Sequence, residues 1–154
     1  MVEPMRDVVT RFEAPLTRFA MRIVGDRERA REVVQDTFLK LWEEGADDPQ
    51  RVRSWLYAVC RNRAIDIRRR EGRVTLGCDP DTAVDVAGSH RDAESARAVS
   101  EMWSLVASLP AKQRAVLELR YREGFSYQRI GGITGLSVNH VGVLLHAAVK
   151  SLKT

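Results

Sequence analysis

From Arg6 to about Arg70 the apolar residues return every three or four positions, the repeat that gathers them on one side of an α-helix. Gly25-Asp26 and Gly45-Ala46-Asp47-Asp48-Pro49 interrupt the repeat and so predict three helices separated by two short breaks. The second helix, roughly Asp26 to Glu44, stripes Val33, Val34, Thr37, Phe38, Leu41 and Trp42. Asp26 suits its N-cap, because a short carboxylate accepts a hydrogen bond from an amide that the helix leaves unpaired. The third, roughly Arg51 to Arg70, stripes Val52, Trp55, Leu56, Val59 and Ile67 before turning basic.

After Glu71 the chain loses helical period and gains Gly, Asp, Pro and Thr, which predicts a flexible linker over 72–92 between a domain at 1–71 and one at 93–154. Helical spacing resumes at Ala93, with Val99, Met102, Trp103 and Val106 on one face up to Leu109-Pro110. Pro110 is expected at the first position of the next helix, where its missing N–H costs little. Val116, Leu117 and Leu119 stripe that helix as far as Gly124. Beyond it, Ser126 can cap a short helix carrying Ile130 and Ile133, and Gly135 supplies a tight turn. Ser137 can cap a last helix with Val138, Val141, Leu145, Ala148 and Leu152 inward. No strand-like alternation stands out. The expected fold is all-α: two small helical domains joined by the linker, the C-terminal one containing a helix-turn-helix.

At 154 residues and 44% hydrophobic content the chain can build packed cores. Its 25 Lys+Arg against 21 Asp+Glu leave a net +4 that is not spread evenly. Arg61, Arg63, Arg68, Arg69, Arg70 and Arg73, opposed by Asp66 and Glu71, account for the whole excess. Cys60 and Cys78 cannot by themselves build a disulfide framework or a zinc site, and His90, His140 and His146 are too scattered to complete one. Cys60, beside an apolar stripe, reads as a small core residue rather than a redox sensor. No metal and no cofactor are expected. There is no phosphate-binding glycine loop and no defensible Ser, His and acid arrangement, so the chain is not expected to be an enzyme. The acids near the N-terminus argue against a secretory signal and no window reaches the apolar length of a membrane span, which points to the cytoplasm.

Two stretches carry chemistry. A capped helix, a glycine turn and a second capped helix form the arrangement that seats one helix in a DNA major groove, with an αα-hairpin that only packs as the alternative. In the third helix Arg61 and Arg68, and Asn62 and Arg69, make adjacent rows able to meet several phosphates, with Trp55 and Tyr57 upstream. The alternative there is a solvated helix end whose cations answer the macrodipole; six arginines exceed what that effect requires.

Three motifs in order, GDRERAREVVQDTFLKLW, RSWLYAVCRNRAIDIRRR and LPAKQRAVLELRYREGFSYQRIGGITGLSVNHV, resemble the extracytoplasmic-function (ECF) sigma factors of bacterial RNA polymerase. The resemblance covers nearly the whole chain. It implies a subunit that binds core polymerase and directs promoter-specific initiation, the polymerase supplying the catalysis. It also implies that the first domain binds the polymerase clamp helices and melts the minus-ten element. On this chain the clamp-facing residues would be Asp26, Glu32, Gln35, Asp36, Phe38, Leu39 and Trp42. Melting and single-strand capture would fall to the turn before Ser54, to Ser54 itself, and to Trp55, Tyr57, Arg61, Asn62, Arg63, Asp66, Arg69 and Arg70. That division is chemically sound, because unpaired bases offer faces to aromatic rings and edges to Asn or Arg. The second domain would read the minus-thirty-five element and touch the polymerase flap. Ser126, Tyr127 and Gln128 would contact phosphate, Ser137, Asn139 and His140 would lie at the amino end of the reading helix, and Lys150 would be a further cation. An anti-sigma factor or another protein regulator is a further expected partner.

The chain departs from the family's usual pattern in two places. Gly142, Leu144, Ala147 and Val149 stand where Lys or Arg is usual, which should weaken duplex binding and flatten its salt dependence. With Val143, Leu144 and Ala147 the last helix is apolar over more than one face, so this face either meets a protein or packs on the preceding helices or the linker. Arg29 and Arg31 stand where acids are usual, which alters the polarity of the clamp-facing surface. Two rival functions remain: a degenerate sigma-like protein that binds polymerase or a regulator without opening promoters, and a free helix-turn-helix regulator.

Overall fold

The computed structural model describes residues 4–45, 49–71 and 93–153, which form seven helices and no strand. They are α1 (Met5–Val24), α2 (Arg27–Glu44), α3 (Pro49–Arg70), α4 (Ala93–Ala107), α5 (Ala111–Tyr121), α6 (Tyr127–Thr134) and α7 (Val138–Lys153). Two compact units result, one built on α1–α3, with which residues 132–135 are grouped, and the other on α4, α5, the start of α6 and α7. The expected linker at 72–92, with Cys78 and His90, lies outside the described residues, as do residues 46–48 of the break expected between the second and third helices.

In the first unit each helix packs on the other two. α1 buries Val8, Phe12, Leu16, Phe19, Ala20 and Val24, a run of three- and four-residue steps that continues past Pro15. Proline within a helix removes one backbone hydrogen bond, at a cost of about 3 kcal/mol. Burying apolar side chains on both sides of it, at about 1.5–3 kcal/mol each, outweighs that loss. Asp26 caps α2 as expected, its carboxylate accepting from the Arg29 amide at 3.2 Å. Ala30, Val33, Val34, Thr37, Phe38 and Leu41 face the core. The Thr37 hydroxyl donates to the Val33 carbonyl at 2.8 Å, so its burial leaves no polar group unsatisfied.

Trp42, expected in that stripe, is instead exposed. It lies one residue past Leu41, and the two neighbouring helices cover an arc that ends at Leu41. α3 opens at Pro49, two residues earlier than expected, and buries Val52, Leu56, Tyr57, Cys60, Ala64 and Ile67; Val59 is half-buried at the edge of that stripe, and Trp55, expected in it, is half-buried on the far side of the helix.

The second unit centres on α5 against α7. Val106, Leu109, Val116, Leu117, Leu119, Phe125, Ile130, Val141, Leu145 and Ala148 are buried. Pro110 is the N-cap of α5 rather than its first residue, a difference of one position that leaves its role unchanged. Met102 and Val138 are exposed, and Trp103 and Leu152 half-buried. Val138 shares the spacing of Val141 and Leu145 but is the first residue of its helix, where packing surface is running out. Arg122 covers the Trp103 ring, 4.1 Å from its centroid, and so shields an aromatic side chain that the apolar core leaves uncovered.

Candidate polymerase and promoter surfaces

On α2 the steps Glu28, Glu32, Gln35, Leu39, Trp42 alternate four and three residues, which places all five on one side of the helix. All are exposed, Leu39 at 61% and Trp42 at 71%. Two large apolar side chains rimmed by acids and an amide make a surface fitted to another helical element. Asp26 is exposed but already accepts from Arg29. Phe38, expected on this surface, is only 8% exposed and belongs to the core, continuing the buried row of Val34 four residues before it and Leu41 three residues after. Glu28 was not among the expected residues, although the alternation of four and three, traced back from Trp42, ends on it.

On α3 the residues Arg51, Trp55, Asn62, Asp66 and Arg69 share the side opposite the core, and Trp55, half-buried, gives the row its one aromatic face. Arg61 and Arg68 flank that row on one side, Arg63 and Arg70 on the other. Tyr57 is not part of it. At 1% exposed it packs edge-on against Phe19, ring centroids 4.9 Å apart, with the Arg53 guanidinium 5.3 Å from its ring centre. The spacing Tyr57, Cys60, Ala64, Ile67 assigns it to the core, and only its aromatic character suggested a stacking role. Ser54 lies within α3, its hydroxyl donating to the Arg51 carbonyl at 3.3 Å, so helix rather than turn immediately precedes it.

The charges on α3 are not equivalent. Burial, and then the like charge of Arg69, lower the Arg61 pKa from its usual value, so a nearby anion would relieve both effects. Arg63 donates from Nε to Asp36 Oδ2 at 2.9 Å, an ion pair linking the two helices that carry the candidate surfaces. Beneath it Cys60 is fully buried, and burial pushes its thiol up to about 12, opposed only in part by a hydrogen bond with Thr37. This is the chemistry of a packing residue, not of a reactive thiol.

The helix-turn-helix forms as its capping residues require. Ser126 Oγ accepts from the Arg129 amide and Ser137 Oγ from the His140 amide, both at 3.1 Å. Gly135 turns the chain at φ 82°, and α6 and α7 meet at 102°. At the crossing a Cβ on Gly131 would stand 2.8 Å from the Leu136 carbonyl oxygen, so only glycine lets the two helices approach this closely. Gln128, Ser137, Asn139 and His140 are exposed, the last three around the start of α7. Tyr127 is partly committed: its ring lies against Gly142, and Arg120 stacks 5.2 Å from its centre while also donating to the Phe125 carbonyl at 3.0 Å. Lys150 lies eleven residues beyond Asn139, about 16 Å along the helix, and does not join this group. Val143 is exposed and Leu144 and Ala147 half-buried, so the second apolar face of α7 is in part uncovered.

Among the described residues no helix alone is long and apolar enough to cross a membrane, and no three His, Cys, Asp or Glu converge on a metal position.

Residues 8–74 match the family Sigma-70 region 2, and residues 100–152 match Sigma-70, region 4. The ECF RNA polymerase sigma factor SigL of Mycobacterium tuberculosis is 31% identical over 153 residues, 97% of this chain and 86% of that protein. The chain belongs to the ECF sigma factors. As a sigma factor it binds RNA polymerase and promoter DNA and directs transcription initiation. Two solved structures share its fold. CnrH in complex with the cytosolic domain of CnrY gives a TM-score of 0.65 at 24% identity, covering 97% of this sigma factor and 84% of CnrH. The sigma factor RpoE of Bartonella quintana, in complex with the anti-sigma factor NepR, gives 0.66 at 20% identity, covering 96% and 93%.

Proposed function

We propose that this sigma factor divides its work among three surfaces. The exposed face of α2, with Glu32, Gln35, Leu39 and Trp42 and with Glu28 added, docks on the polymerase clamp helices, and Asp26 and Asp36 border it. The outward row of α3 captures the melted minus-ten strand: Trp55 stacks on a base, Asn62 and Asp66 read base edges, and Arg61, Arg63, Arg69 and Arg70 hold the backbone. The start of α7, with Ser137, Asn139 and His140, reads the minus-thirty-five duplex while Ser126, Tyr127 and Gln128 contact phosphate. Domains at 1–71 and 93–154 would carry the two halves. The chain itself performs no bond chemistry; address and melting are its contribution, exercised in the cytoplasm where the polymerase works.

The observation that carries this reading is the segregation on α3, where the core takes Tyr57 and leaves Trp55, Asn62 and Arg69 outward in one row. The missing cations of α7 support a modest duplex affinity for the second domain alone. Protein regulators of the kind bound to RpoE and CnrH would compete for these same surfaces. No specific observation favours a degenerate sigma-like binder or a free regulator.

The test is to mix the purified chain with core RNA polymerase, isolate the complex, and sequence transcripts started on a fragmented genomic library. Defined start sites that depend on the chain and weaken in Arg69→Gln/Arg70→Gln are expected. A stable complex with no new starts would refute promoter opening, and no complex at all would refute the clamp-facing assignment.

A further inference from the structure

Asp36 and Arg63 stand at the seam between the two surfaces of the first unit. Asp36 follows Gln35 on α2, and Arg63 follows Asn62 on α3. Their 2.9 Å contact spends one guanidinium N–H on a carboxylate instead of on a phosphate. The side chains of Arg63 and Asp36 are 34% and 38% exposed, so water and competing ions reach the pair and its hold on Arg63 is modest. Thr37, next to Asp36, and Cys60, three residues before Arg63, are fully buried; the Thr37 hydroxyl donates to the Val33 carbonyl at 2.8 Å and the Cys60 thiol to the Leu16 carbonyl of α1 at 4.0 Å. The seam between α2 and α3 is therefore packed at this level, and turning the Arg63 side chain is enough to part it from Asp36. Once turned, it extends the Arg70 side of the outward row, seven residues from Arg70.

We propose that Asp36 masks Arg63 in the free chain, lowering its affinity for single-stranded DNA, and that engagement of Asp36 by polymerase lifts the mask. This rests on the reading of α3 as the promoter-capturing helix. It makes Asp36 a positioning residue that acts through Arg63, and it ties strand capture to the presence of polymerase without any movement of the helices.

The experiment measures binding of the free full-length chain to a fluorescein-labelled, mixed-sequence single-stranded DNA across a range of salt concentrations. Asp36→Asn is expected to bind about threefold more tightly at low salt, the scale of one half-exposed ion pair. Its log affinity should fall more steeply with log salt, by about 0.7, as for one added phosphate contact on a single strand. Arg63→Gln should abolish the gain, so that Asp36→Asn/Arg63→Gln binds like Arg63→Gln. Glu43→Gln, which removes the same charge from an exposed position elsewhere on α2, should leave binding unchanged. An equal gain in Glu43→Gln, or a gain that survives Arg63→Gln, overturns masking in favour of general charge. No gain in Asp36→Asn overturns it outright.

With saturating core polymerase the gain should vanish, and its persistence at full size overturns release by polymerase. Arg69→Gln separates the underlying reading: if it fails to weaken binding, α3 is not the capturing helix. If it weakens binding while Asp36→Asn changes nothing, only the masking is wrong.

Discussion

Two adjacent glycines in α6 should respond in opposite directions to the same added methyl group. At Gly131 a Cβ would meet the Leu136 carbonyl oxygen at 2.8 Å, whereas at Gly132 nothing lies within 4 Å. To restore an ordinary carbon-to-oxygen contact of about 3.3 Å, the turn carrying Leu136 must retreat by roughly half an ångström. Crowding of this kind costs about 1–3 kcal/mol. Against it stands the gain of about 0.5–1 kcal/mol that alanine brings to a helix interior. Gly131→Ala should therefore destabilise the helix-turn-helix by about 1–2 kcal/mol, and Gly132→Ala should stabilise it by about 0.5–1 kcal/mol. Urea unfolding followed by fluorescence separates the units when Trp42 and Trp55 are replaced by Phe, leaving Trp103 as the reporter of the second. Because Leu136 leads into the Ser137 cap, Gly131→Ala should also weaken duplex binding at urea-free conditions while Gly132→Ala does not. Equal midpoints for the two variants, or a Gly131→Ala protein as stable as its parent, would refute the close-approach argument.

Leu39→Ala and Trp42→Ala should leave stability within about 0.5 kcal/mol of the parent, yet each should cost roughly tenfold or more in affinity for core polymerase, as exposed apolar anchors do. Phe38→Ala should instead unfold the first unit at about 3–5 kcal/mol lower stability, read by urea titration of Trp42 and Trp55 fluorescence. The same contrast holds on α3: Trp55→Ala should impair promoter opening, measured by permanganate reactivity of the melted strand, with little loss of stability, whereas Tyr57→Ala should lose several kcal/mol by leaving a cavity. For Cys60 the folded thiol is raised from 9.0 to about 12, so the folded state holds its proton more tightly than the unfolded chain. The contribution is complete below pH 9 and is lost as pH rises from 9 towards 12. The stability advantage of the parent over Cys60→Ala, measured by urea midpoint, should be constant below pH 9 and shrink above it.

Helices, breaks and caps were legible along the chain because they depend on neighbours in sequence. Steps of three and four put Val33, Thr37 and Leu41, or Val141, Leu145 and Ala148, on one side of a helix whatever the helix packs against. Asp26, Ser126 and Ser137 cap the amides a few residues ahead of them, and Gly135 turns the chain by its own conformational freedom. The order of three motifs was likewise a property of sequence alone, and it sufficed for the family. What the sequence left open was where each apolar stripe stops. Phe38 and Trp42 lie one turn apart on α2, and Trp55 and Tyr57 lie two residues apart on nearly opposite sides of α3; each pair contains one core ring and one outward ring. The choice depends on how wide an arc the other two helices cover, which is set by packing between residues far apart in the chain. The Asp36–Arg63 pair has the same origin: twenty-seven residues separate its members, and only the packing of α2 on α3 brings a carboxylate of the polymerase-facing helix to an arginine of the DNA-facing one.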